Sequence, residues 1–218
     1  DYLEDPVLDE YIQRLWAPLV KAAAARGELS PELQERFAWR ILLGRDRSVN
    51  AFALPGGYLG VHLGLIAVVN SNDELASVLA HELSHVTQRH IARSMDKQAM
   101  NTMIAIAGMV LGALAASSNP SAAVGLMRGG QAISVQNQLA YSRDAEREAD
   151  RIGFLILEGS GYDVNGMPAF FQRLQKASSI MDSGVPAYVR THPLTIDRIA
   201  DMQDRVRMVN AKTVPSSL

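Results

Sequence analysis

Residues 81 to 85 read HELSH and residues 146 to 150 read EREAD. These two pentapeptides hold the side chains best suited to do chemistry in this chain. On a helix, His81 and His85 lie four residues apart on one face, so both imidazoles can reach a single cation. Glu82 projects about 100° from His81, close enough to touch a water held by that cation. Two neutral nitrogen ligands, with a carboxylate base beside an open coordination position, are what zinc-assisted hydrolysis needs. Random placement of the residues would produce HExxH on the order of 0.005 times per chain, so the motif is not accidental.

A catalytic zinc takes a third protein ligand besides water. No further histidine follows at the short spacing of the metzincins, which turns the search towards a carboxylate. The ExxxD of EREAD puts Glu146, Ala149, Asp150 and Gly153 on one helical face. Glu146 is the candidate third ligand. Asp150 is placed to accept a hydrogen bond from the other ring nitrogen of a ligand histidine. The small Ala149 and Gly153 would let this helix approach the HExxH helix closely. Arg147, Glu148 and Arg151 read as an ordinary charged outer face, and His90, outside the motif spacing, reads as solvated.

The composition narrows the chemistry further. The chain has 218 residues, no cysteine and a formal net charge of −2. A metal must therefore be held by histidine and carboxylate, which favours zinc. That net charge suggests neither a nucleic-acid footprint nor a polybasic membrane patch. The opening DYLEDPVLDEY lacks the basic and apolar regions of a signal peptide, as in a cytosolic chain or a secreted one already processed.

The positioning elements follow from periodicity. Residues 1 to 25 carry Leu8, Ile12, Leu15, Leu19 and Val20 at helical spacing. Pro31 opens a second segment, which passes into a strand around Phe37 to Leu43. Two short strands, Ala51 to Leu54 and Tyr58 to Leu63, flank a Pro-Gly-Gly turn. Ser71 and Glu74 form a capping box that starts the HExxH helix just before Leu75. Leu75, Val78, Leu79, Leu83 and Val86 make that helix a core element. Residues 103 to 116 run without a charge but are shorter than the roughly 20 apolar residues of a membrane span. They read as a buried or interfacial helix, with a mobile lid or a peripheral contact with a membrane or partner as the functional alternative. A loop at 117 to 121 and small-residue-rich sequence to Gly130 precede a helix ending near Gly159. Another helix has Pro168 in its first turn. Residues 178 to 194 read as a loop, and a last helix starts near Thr195. The expectation is one α+β, mostly helical domain over residues 1–218, with a small sheet beside the HExxH helix.

HELSH, EREADRIG and the later THPLTIDRI, with NAFALPGGYLGVHLGLI before the first, resemble the gluzincin peptidases that include HtpX and the CAAX-prenyl protease. The resemblance covers about residues 45 to 205 and is nearest to the periplasmic, BepA-like branch. It implies zinc endopeptidase activity with one Zn2+ per chain, ligands His81, His85 and Glu146, and Glu82 as the base. It places His192 near the zinc, either stabilising the oxyanion or capping the metal as a fourth ligand, and gives Arg198 a role in supporting transition-state charge. It also implies an edge strand for an extended substrate, formed by Ala51, Phe52, Ala53 and Leu54 or by Tyr58, Leu59, Gly60 and Val61. The implied partners are unfolded or misassembled envelope proteins and the outer-membrane assembly machinery, in the periplasm after signal-peptide removal. Unlike the prenyl-protease and HtpX branches, this sequence has no multiple spans, and it ends at KTVPSSL before any tetratricopeptide repeats of the BepA kind. The rival reading is a chaperone-like binding module whose zinc is structural, capped or latent.

Overall fold

The structure, a computed structural model, describes residues 2–116, 119–180 and 185–213. Its contacts divide the chain into two compact units, Asp1–Gln88 with Arg147–Leu218, and Arg89–Glu146.

The first unit holds the hydrophobic core. Helix α1 (Pro6–Ala25) starts at Asp5, whose carboxylate accepts from the amides of Val7 and Leu8, and buries Ile12, Trp16 and Leu19. A short helix α2 (Pro31–Arg36) leads into β1 (Arg40–Gly44), followed by β2 (Ala51–Leu54) and β3 (Tyr58–His62). The sheet order is β1-β3-β2, with β1 parallel and β2 antiparallel to β3. Ile41, Leu43, Ala51, Leu59 and Val61 turn to the core. The second strand of the expected hairpin stops at His62, because Leu63 already begins helix α3 (Leu63–Val68).

Helix α4 (Asn72–Thr87) carries HELSH through the core. Ser71 Oγ accepts from the Glu74 amide, and Glu74 Oε2 accepts from the Asn70 amide. This is the reciprocal arrangement of a capping box, displaced by one residue on the return side. Leu75, Leu79 and Leu83 are fully buried, each such burial being worth roughly 1.5–3 kcal/mol. The helices α7 (Gly166–Ile180), α8 (Ala187–Thr191) and α9 (Ile196–Thr213) complete the unit with the last third of α6 (Pro120–Gly159). Helix α8 lies in a stretch that reads as loop, since five residues ending before a His-Pro pair give no periodic signal. Residues 181–184 of that stretch lie outside the described residues.

The second unit consists of α5 (His90–Ala115) and the first two thirds of α6. Arg89, with a φ of 55°, breaks the chain between α4 and α5. His90 is consequently not solvated, as its place beside Arg89 suggests, but 4% exposed. The small-residue segment up to Gly130 is not a connection but part of α6, which runs unbroken from Pro120. Of the loop expected at 117–121, residues 117 and 118 lie outside the described residues.

Glu74 also anchors α4 to α7, accepting from Arg173 Nε and Nη2 at 2.8 Å each. These hydrogen bonds hold the Glu74 carboxyl below its ordinary value despite burial. A carboxylate depressed in the folded state stabilises above its unfolded pKa and loses that contribution as pH falls through its folded pKa. Glu74→Gln should therefore cost about 1–3 kcal/mol at neutral pH. In chemical denaturation at a series of pH values, the difference from wild type should shrink towards zero on the acid side of the carboxylate range.

Candidate metal centre

His81 and His85 face the same way from α4, with their Nε2 atoms 3.0 Å apart. His192, the residue that ends α8, brings its Nδ1 to 3.4 Å from His81 Nε2. Glu146 joins them, and one ligand atom from each of His81, His85, Glu146 and His192 lies within 4.8 Å of the others. Tetrahedral zinc with bonds of 2.0–2.1 Å separates its donor atoms by about 3.4 Å. His81 Nε2 already stands close to that spacing from both His85 Nε2 and His192 Nδ1, with the carboxylate within reach.

The protonation pattern agrees with the geometry. Asp150 Oδ1 is 2.9 Å from His81 Nδ1, and both groups are almost wholly buried. Burial opposes ionisation of Asp150, but Arg198 and His81 outweigh it and hold the carboxyl below the usual carboxylate range. An ionised carboxylate only accepts, so His81 Nδ1 bears the proton and Nε2 presents its lone pair to the cluster. A histidine so oriented is suited to be a metal ligand, with its outer partner in place. The donor set, three imidazoles and a carboxylate without sulfur, fits zinc.

Glu82 lies beside the donors, 1% exposed. Its Oε1 is 3.4 Å from His192 Nε2 and makes no hydrogen bond among the described residues. A buried acceptor left in this condition is costly unless function requires it.

Close approach of the two motif helices rests on Gly153. A side chain there would come within 3.1 Å of the His81 backbone, so the small-residue face read from EREADRIG is required by contact. Arg198, at the start of α9, gives Nε and Nη2 to Asp150 at 2.6 and 2.8 Å. Its Nη1 donates to the Pro193 carbonyl at 2.7 Å, and its guanidinium lies 5.3 Å from the centre of the Phe171 ring.

One contributor escaped the sequence reading. Tyr188 stacks on His192 at 4.5 Å between ring centres, 27° from parallel. The Tyr188 amide donates to the Val49 carbonyl, and its own carbonyl accepts from the His192 amide. Its four-residue spacing before His192 was the available signal, hidden because α8 itself was not evident.

The sheet order shows which of the two candidate strands lies at an edge. Tyr58, Leu59, Gly60 and Val61 belong to β3, which is hydrogen-bonded to β1 on one side and β2 on the other. That strand has no free edge, and the expectation of an edge role for it is corrected. Ala51 to Leu54 form β2, at the edge of the sheet.

A small sheet beside an HExxH helix, with a glutamate and an outer aspartate from a second helix, defines the gluzincin kind of metallopeptidase fold. The sequence model of Peptidase family M48 matches residues 7–206, and the chain belongs to that family. A Vibrio cholerae protein provisionally assigned as a beta-barrel assembly-enhancing protease is 43% identical over 94% of this chain and 40% of its own length. The Beta-barrel assembly-enhancing protease of Escherichia coli K12 is 34% identical over 99% of this chain and 42% of its own. Mitochondrial metalloendopeptidase OMA1 of Arabidopsis thaliana is 34% identical over 87% of this chain and 35% of its own. The chain thus spans about two fifths of the length of the bacterial relatives it matches.

Asp150→Asn should weaken Zn2+ binding about 10- to 100-fold, measured by competition with a chromogenic chelator. Native-like far-UV circular dichroism in the same sample would separate lost ligand orientation from lost folding.

Proposed function

We propose that this chain is the peptidase domain, over residues 1–218, of a zinc-dependent endopeptidase that cleaves misfolded or unassembled proteins of the bacterial envelope. The observation that carries the reading is the convergence of His81, His85, Glu146 and His192 within 4.8 Å, with the buried Glu82 carboxylate beside them. Family membership and the names of the relatives support it.

In this reading His81, His85 and Glu146 hold one Zn2+, which supplies Lewis acidity and a lowered water pKa. Glu82 takes the proton of the attacking water and returns it to the leaving amine. Asp150 keeps His81 in the tautomer that offers Nε2. Arg198 supports developing charge through Asp150, to which it gives two of its nitrogens. The edge strand β2, through Ala51, Phe52, Ala53 and Leu54, adds an extended substrate by main-chain pairing with little side-chain selectivity. Residues 58 to 61 contribute by holding that strand from behind. The setting is the periplasm, near the outer-membrane assembly machinery, with a peripheral membrane contact through residues 103–116.

The second reading, a chaperone-like module with a capped zinc, is favoured by one observation: His192 presents Nδ1 to the donor set and Nε2 to Glu82. We join the two readings by assigning His192 a capping role that makes the resting enzyme latent. Glu82→Gln should keep one zinc per chain by metal analysis while losing casein cleavage by at least about 100-fold. His192→Ala should also keep the zinc and raise cleavage. Undiminished cleavage by Glu82→Gln would remove Glu82 as the base, and a fall with His192→Ala would make His192 an oxyanion donor instead.

A further inference from the structure

The second unit has an inverted distribution of apolar residues. From Gln98 to Ser142 it carries one charged side chain, Arg128. Its two helices meet along a seam of small residues. A side chain on Gly108 would strike Gly130 and the Leu126 carbonyl, and one on Gly112 would strike the Ala123 carbonyl and Met127. Asn137 Nδ2 donates across the same seam to Asn101 Oδ1 at 3.4 Å. Among the described residues, the buried hydrophobic side chains of this unit are the two alanines Ala123 and Ala145.

The large aliphatic residues point outwards. Met103, Ile106, Val110 and Leu111 on α5 and Val124 and Ile133 on α6 are each 48–66% exposed. A hairpin built for water does the opposite, turning its large apolar residues into the seam. Contiguous exposed apolar surface of this kind marks a place of contact. Glycine and alanine at the seam with large residues outside is how helices pack in lipid, where the surroundings are as apolar as the side chains.

We infer that this hairpin dips into a lipid bilayer and anchors the protein to an anionic membrane surface without crossing it. Three observations favour lipid over a protein partner. At about 100° per residue, the exposed Met109, Ile106, Val110 and Leu111 together cover about 200° of the circumference of α5, more than one stripe. A second copy or a folded partner would cover one face only, whereas hydrocarbon surrounds the tip. The charges are gathered at the base: Arg89, Arg93 and Lys97, all exposed and four residues apart, precede the apolar run on α5, with Asp96 among them, and Arg143 and Asp144 follow it on α6. The exposed cationic stripe complements anionic headgroups. Finally, the helix from Met103 to Ala115 is about 20 Å long against a hydrocarbon core of about 30 Å. No described helix is long and apolar enough to cross a membrane, so the depth suits insertion in one leaflet or little more.

The inference goes beyond the peptidase reading and deepens its membrane contact. Its test is flotation of the purified chain with vesicles of phosphatidylethanolamine and phosphatidylglycerol, beside casein cleavage in the absence of vesicles. Wild type should float with the vesicles. Leu111→Glu combined with Ile133→Glu should reduce the floated fraction at least tenfold, with zinc content and far-UV circular dichroism unchanged. In a Val110→Trp variant, the emission of the new tryptophan should move to shorter wavelength on adding vesicles. Failure of wild type to float would overturn the inference, as would equal flotation of the double variant or an unmoved emission. A lipid-free dimer dissolved by the double substitution, without flotation, would assign the surface to a second copy. Loss of casein binding in the double variant, without flotation of wild type, would assign it to substrate. Cleavage without flotation leaves the peptidase reading intact, and flotation without cleavage leaves the membrane contact intact.

Discussion

A carboxylate with 1% exposure, held between a guanidinium and an imidazole, sets the terms for the site and for much of the fold around it. An ionised Asp150 in an apolar interior is tolerable only if its oxygens are fully engaged. Arg198 takes one side with two hydrogen bonds and His81 takes the other. Each partner then constrains a separate part of the chain. His81 must present Nδ1 to α6 and Nε2 to the donor cluster, which fixes the rotation of α4. Helix α6 must run against the His81 backbone, which excludes a side chain at position 153. Arg198 must reach inwards from the first turn of α9, so the chain leading to that turn passes the donor cluster and delivers His192.

The parts of this arrangement that the sequence declares are those governed by local periodicity. HELSH and EREAD place the candidate ligands and the outer carboxylate by four-residue spacing, and a helix transmits that spacing into space with little ambiguity. The capping box of α4, Pro168 in α7 and Thr195 before α9 mark their helices for the same reason. Sheet order is a different kind of information. PGG identifies a hairpin, but which strand lies at the edge depends on β1, which pairs parallel to β3 across an intervening strand. Nothing within either hairpin strand reports that distant partner. Helix α8 is too short for periodicity, and Tyr188 is accordingly unreadable until stacking places it on His192. His90 misleads because neighbouring charge suggests solvent, while the left-handed Arg89 backbone starts a new helix at that point. The continuity of α6 through its glycines likewise depends on what packs against them rather than on helix propensity.

The two units divide the work of apolar residues differently. In the first, large side chains fill a core made of α1, the sheet, α4, the last third of α6, α7 and α9. In the second, small residues make the contacts and large ones face outwards. One sequence therefore uses two solvents as its reference, with water outside the peptidase core and an apolar phase outside the hairpin. The positions most sensitive to substitution follow suit. In the first unit they are large core residues and buried charges, while in the second they are Gly108, Gly112 and Gly130.

The hydrogen bond from the Tyr188 amide to the Val49 carbonyl joins two places that are far apart in sequence. Val49 stands two residues before the edge strand, and Tyr188 carries the stacked ring of His192. In the proposed peptidase, this main-chain bond would link the His192 cap to the strand that receives an extended chain. By linkage, whatever lengthens or turns that bond from the strand side changes the free energy of the cap, and displacement of the cap alters the strand to the same degree. In that proposed enzyme, substrate occupancy and access to the reacting centre would be two readings of a single coordinate.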